Sequence, residues 1–192
     1  MSSALKSTSE DAFLITGRSI NALPEYFLSV KIAEFLHGEL KSFTFSMEDS
    51  IEELSNEIEM DISEAPEIFR TKGKADLVLR SQKTKRLKHI IEFKKGLGIS
   101  GIKDDVLRLA WICVNSPQGH RAEKNFLVAV THKPKSLFIT RTENIKGWVE
   151  NEFGNNIKIT FEPVDLNGLT STRKNGYGKE LFGGIWEFKY IE

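Results

Sequence analysis

The chain has 192 residues, enough for one domain with a hydrophobic core, and its 40 % hydrophobic and 28 % charged residues are those of an ordinary globular protein. Basic and acidic residues both number 27, so the formal net charge is zero; this excludes a protein that coats nucleic acid nonspecifically but leaves room for a local basic groove. The single cysteine, Cys113, excludes an intrachain disulfide framework and fits a reducing compartment such as the cytoplasm, while no apolar run is long enough to span a bilayer and the N-terminal MSSALKSTSEDAF lacks the basic and apolar regions of a signal peptide.

In chain order, Asn21 to Pro24 opens a helix, with Pro24 suited to the first turn, and the pattern runs to a stop at Gly38. Lys31 and Glu34 fall together on one side of this helix. Glu25 falls on the opposite side with Leu28, Ser29, Ile32 and Leu36, the side expected to meet the core. SFTFSM alternates Phe43, Phe45 and Met47 and predicts a strand. Ile51, Leu54 and Ile58 then recur at helical spacing in a short acidic segment. ADLVLR and HIIEFK read as paired strands joined by a polar turn.

The stretch from Gly101 to about Val114 reads as a helix, with Cys113 a small buried hydrophobe on it. NFLVAVTH is apolar enough for a strand buried on both faces. A helix around 141–152 and strands at IKITFEP and IWEFKYI close the chain, with a glycine-rich, partly basic loop, NGLTSTRKNGYGKELFGG, between the last two. Trp111, Trp148 and Trp186 lie in apolar patterns and are expected in the core; Tyr177, between two glycines, is a base-stacking candidate or a loop anchor. The order is helix, three strands, helix, strand, then additions: one mixed α/β domain.

Charge is distributed unevenly along this neutral chain. Residues 48–67 carry acids (among them Glu48, Asp49, Glu57, Glu64 and Glu67) and no lysine or arginine, whereas from Arg70 to Lys95 the basic residues face only Asp76 and Glu92. Those two acids, with Lys94, interrupt strands that are otherwise apolar. Alternation along a strand puts Glu92 and Lys94 on one face, with Ile91 and Phe93 on the other. If the neighbouring strand pairs as expected, Asp76 sits beside Glu92, and two adjacent carboxylates resist joint ionisation. A divalent cation resolves that conflict; Mg²⁺, or Mn²⁺ in its place, takes oxygen ligands, to which the Phe93 carbonyl adds a third. Such an ion eases deprotonation of a water and offsets charge on a phosphate, and Lys94 is placed to hold either. The histidines and the lone cysteine show no zinc spacing, and GLGISG at 96–101 lacks a nucleotide-binding pattern.

Asp76 followed by Glu92-Phe93-Lys94 resembles the D…(D/E)-x-K signature of the PD-(D/E)xK nuclease superfamily, the restriction-endonuclease-like fold. The proline of the family pattern is absent; Ala75 precedes Asp76. The resemblance implies an αβββαβ core, here about residues 20–131, with 132–192 as a C-terminal extension within a single domain. It implies an acid on the first helix, for which Glu25 and Glu34 are the candidates, Glu25 ahead because of its core-facing side. It implies a Mg²⁺-dependent hydrolase acting on phosphodiester bonds, with Asp76, Glu92 and Glu25 as ligands and Lys94 as the catalytic cation. Lys72, Lys74, Lys95, Arg108, Arg121, Lys174 and Lys179 are then candidates for contacts to DNA, although Arg108 is also placed to pair locally with Asp105. A homodimer or a subunit of a larger complex is the implied setting. An inactive nuclease-like module in a DNA-processing or phage-defence assembly is the alternative, and an interaction protein using its acidic segment the third reading.

Overall fold

In the computed structural model, residues 1–63, 65, 73–172 and 178–191 are described, with residues 167 and 168 described in backbone only. The first element is a helix that the sequence patterns above do not predict, α1 (Ser2–Thr16), closed by Gly17 at φ 65, where a left-handed cap favours glycine. A turn of 3₁₀ helix (Ile20–Ala22) leads to α2 (Glu25–Glu39), which runs past the expected stop at Gly38. Then come β1 (Phe43–Ser50), α3 (Ile51–Glu57), β2 (Lys74–Ser81), β3 (Leu87–Lys94), α4 (Ile99–Asn115) and β4 (Lys124–Thr131). The chain continues as α5 (Lys135–Phe153), β5 (Ile157–Thr170) and β6 (Glu180–Tyr190). The stretch 167–184 is therefore not all loop: both of its ends are strand, and β5 and β6 form a hairpin.

The six strands make one mixed sheet in the order β1-β2-β3-β4-β6-β5. β3 and β4 are parallel and the other pairs antiparallel. The parallel pair requires a long crossover, which α4 supplies. The C-terminal third thus adds two strands to the same sheet, with β6 against β4. Among the described residues, no helix is long and apolar enough to cross a membrane.

Strand alternation builds a core on each side of the sheet. Leu77, Leu79, Ile91, Phe93 and Val128 face α1 and α2, where Leu5, Leu28, Ile32 and Leu36 lie buried. Val78, Ile90, Leu127, Trp186 and Phe188 face the other way, toward Leu54 of α3, Val106 and Leu109 of α4 and Ile145 of α5. Trp111 and Trp186 are buried and Trp148 packs at the margin. Cys113 is buried and its thiol is pushed up to about 12 by burial.

Two polar devices fix the geometry around this frame. Ser50 caps α3 in a reciprocal box with Glu53, its Oγ accepting from Glu53 N at 3.1 Å, and Arg80 ties the helix to the sheet through Asp49 at 2.8 Å and Glu57 at 2.6 Å. Part of the acidic segment is therefore consumed internally. At the turn end of the β5–β6 hairpin, Thr172 N donates to Ser19 Oγ at 2.8 Å and Asn21 Nδ2 donates to Ser171 Oγ at 2.7 Å. These bonds anchor the hairpin to the segment that leads directly into Glu25.

Candidate active site

The charged groups gather where β2 begins and β3 ends. The pairing of these strands runs from Arg80↔Leu87, across a register shift between Leu79 and Arg80, to Leu77↔Ile91. One step beyond, the Asp76 carboxylate takes over a backbone role: Oδ2 accepts the Phe93 N–H at 2.7 Å. Asp76 shares the face of Val78, and Glu92 and Lys94 share the face of Ile90, the side covered by α4. Asp76, Glu92 and Lys94 therefore point to one side of the sheet.

Glu92 is the deepest of the three, only 1 % exposed. Arg108 Nη2 reaches down from α4 and bonds Glu92 Oε1 at 2.6 Å and Asp105 Oδ1 at 2.6 Å. The local Asp105–Arg108 pair is thus made, and Arg108 is turned to carboxylates rather than outward to a phosphate. Asp105 is shared: its Oδ2 lies 2.6 Å from Lys94 Nζ. Glu25, at the first turn of α2, sits at the rim, with Oε1 3.8 Å from Lys94 Nζ and Oε2 accepting the Lys95 N–H at 3.0 Å. Lys95 Nζ donates to Leu23 O, tying the end of β3 to the entry of α2. Glu34 lies elsewhere, exposed and paired with Lys31 at 2.6 Å.

Burial sets the protonation of this cluster. It raises the Asp76 carboxyl above its ordinary value, with the Phe93 N–H and the Lys94 charge pulling the other way. Burial, with the neighbouring Asp76 and Asp105, also pushes Glu92 well up, against the attraction of Arg108. Burial thus pushes both carboxyls toward their protonated forms. For Lys94, burial opposes the charged form, but Asp105, Glu25 and Glu92 outweigh it and hold the pKa above the usual lysine value. Lys94 is therefore an ammonium, able to donate and to offset charge, and not a general base at neutral pH.

Glu25, Asp76, Glu92 and Asp105 bring four carboxyl groups to this edge, and Lys94 and Arg108 are the two cations among them. Among the described residues, no three His, Cys, Asp or Glu stand close enough together to hold a metal ion. Glu25 meets the cluster through Lys94 and the Lys95 N–H. Two carboxylates with retained waters are nevertheless a usual Mg²⁺ site when substrate phosphate completes the sphere. At Phe93 the contact made to the site is through its N–H, and its ring is buried on the opposite face.

The remaining sequence candidates are scattered. Lys74 is exposed near the start of β2, 4.0 Å from Glu48. Arg121 is not available to a phosphate at this site: its guanidinium stacks on Tyr190 at 3.6 Å and its Nε donates to Ser116 O, in the loop that enters β4 at the far end of the sheet. Lys179 is exposed at the start of the β6 segment. Lys72, Lys174 and Tyr177 lie outside the described residues, as do Glu64, Glu67 and Arg70. The bonds from Asp105 to Lys94 and from Arg108 to Glu92 are not foreseen by the sequence patterns. Their only sequence signal is the spacing of two charges on the helix after the strand; the strand-to-helix contact is tertiary. No protein-family model matches the chain, and no curated protein matches it.

Proposed function

We propose that the chain is a metal-dependent nuclease with a restriction-endonuclease-like core in residues 20–131, hydrolysing phosphodiester bonds in DNA. The observation that carries this reading is the convergence of Asp76, Glu92 and Lys94 on one face at the ends of β2 and β3. A divalent cation held by Asp76 and Glu92 would supply charge neutralisation and water activation beside a phosphate. Around it, each residue has a separate task. Asp105 fixes the Lys94 ammonium at 2.6 Å, so that a water or a phosphate oxygen meets a pre-placed donor. Arg108 keeps Glu92 ionisable in a buried setting. Glu25 restrains Lys94 and the Lys95 backbone from the side of α2.

The test is cleavage of plasmid and of linear single- and double-stranded DNA with Mn²⁺, using EDTA as the control. Asp76→Ala, Glu92→Ala and Lys94→Ala are each expected to abolish cutting while the circular dichroism spectrum stays native. Equal cutting by the wild type and all three variants refutes the roles. Calorimetric titration is expected to show Mn²⁺ bound to the wild type and not to Asp76→Ala. A second reading, an inactive nuclease-like module, draws on the two cations already seated among the acids and on the neutral net charge. Absence of Mg²⁺ and Mn²⁺ binding, even with DNA present, selects that module.

A further inference from the structure

A cleft of about 560 Å³ opens where β4 ends and β6 begins, lined by His132, Lys133, Lys135, Lys179, Glu180 and Phe182. Three exposed lysines and a half-buried histidine thus meet one carboxylate on the lining, in a chain whose total charge is zero. Lys135 makes two weak contacts, 3.8 Å to Asp165 and 5.1 Å to the Phe182 ring centroid, both at the surface. Its charge is only partly offset there.

The position of this cleft follows from strand register. β3 and β4 are parallel and Lys94 is level with Ala129, so both strands end at the same edge of the sheet. Thr131 is level with Phe182, so β6 starts at that edge too. From β3 across β4 to β6 is two strand spacings, roughly 10 Å. That is about three nucleotide steps along a duplex strand at roughly 3.4 Å each. A polyanion whose scissile phosphate lies at Lys94 therefore reaches the cleft without bending away from the sheet edge.

We propose that this cleft is the track for the nucleic-acid backbone leaving the carboxylate centre, with Lys133, Lys135 and Lys179 neutralising successive phosphates. The inference rests on the nuclease reading for its choice of polyanion, but it assigns a surface that the D…ExK pattern does not contain. Such contacts position the strand without reading its sequence. An acidic protein segment is the competing occupant. Nucleic acid is favoured because the cleft shares its edge with the carboxylate and ammonium cluster that is arranged for a phosphate.

The experiment is fluorescence anisotropy of labelled single-stranded and duplex oligonucleotides in EDTA, where no cutting occurs, over a salt titration. Lys133→Ala with Lys179→Ala is expected to weaken binding at least ~10-fold and to lower the salt slope by about 2, roughly one for each phosphate left without its lysine. The control is Lys83→Ala with Lys85→Ala, in the β2–β3 turn at the opposite edge, expected to bind as the wild type does. The arms tell single strand from duplex. Weakening no larger than in the control overturns the track, as does failure of the wild type to bind either oligonucleotide, or tighter binding of polyglutamate than of DNA. Because metal and cleavage are absent from this assay, its failure is distinct from loss of Mn²⁺ binding at Asp76, which would count against the nuclease reading itself.

Discussion

Removing the Arg108 side chain isolates the buried charge on which the site is built. Glu92 is 1 % exposed and its partner is Arg108 at 2.6 Å, so Arg108→Ala leaves a carboxylate in the core without its counter-ion. Breaking a buried pair in this way costs about 3–5 kcal/mol, which lowers Tm by about 6–20 °C in a protein of this size. Glu92→Gln in the same background removes the stranded charge and is expected to recover most of the loss. The dependence on pH has a fixed sign. Glu92 has a raised pKa, chiefly through burial, and losing Arg108 raises it further. The folded state then binds more protons than the unfolded one, so the deficit grows as pH rises through the folded pKa and shrinks on acidification. The assay is scanning calorimetry of the two single variants, the double variant and the wild type in EDTA at two pH values. Two results refute the reasoning: a single Arg108 variant as stable as the wild type, or a double variant no more stable than the single one.

Gly184→Ala probes the packing of β6, two strands across the sheet from β3. A Cβ there would lie 2.6 Å from Phe138 ring atoms and 2.8 Å from Phe161. Overpacking of this kind costs about 1–3 kcal/mol, or about 2–12 °C in Tm, and an unchanged melting curve would contradict the packing. Cys113, buried and with its thiol pushed up to about 12, is expected to react with a thiol reagent only after denaturation; labelling of the native protein at the rate of a free thiol would contradict its burial.

Legibility differed by element for physical reasons. The strands carrying Asp76 and Glu92 were readable because an apolar run broken by charge is a local signal, and alternation fixes which side chains share a face. α1 was not readable, because its buried face is made of Ala4, Thr8, Ser9 and Ala12 beside Leu5, small or polar residues that leave little hydrophobic contrast. The stop expected at Gly38 failed because α2 continues one residue beyond it, its cap set by Leu40 N–H bonding Leu36 O at 2.7 Å. The ends of the β5–β6 hairpin read as loop because glycines punctuate them. Gly183 and Gly184 are instead strand positions where Leu5, Val164, Phe138 and Phe161 pack too closely for a side chain. Glu25 could be ranked above Glu34 from helical phase alone, whereas its distance from Asp76 and Glu92 depended on how α2 crosses the sheet edge.

The charges at this edge form two layers joined by one residue. Below, Arg108 holds Glu92; above, Lys94 meets Glu25; Asp105 faces both cations, its Oδ1 accepting from Arg108 and its Oδ2 in an ion pair with Lys94. Neither layer can rearrange alone. On the proposed nuclease reading, a phosphate drawn to Lys94 would compete with Asp105 for the ammonium, and an Asp105 released from Lys94 would have Arg108 as its remaining partner. Strengthening that bond would weaken the grip of Arg108 on Glu92 and so raise the Glu92 pKa further, turning the deeper carboxyl toward its protonated form. Negative charge brought to Lys94 would thus be felt at Glu92 through the two residues between them, Asp105 and Arg108.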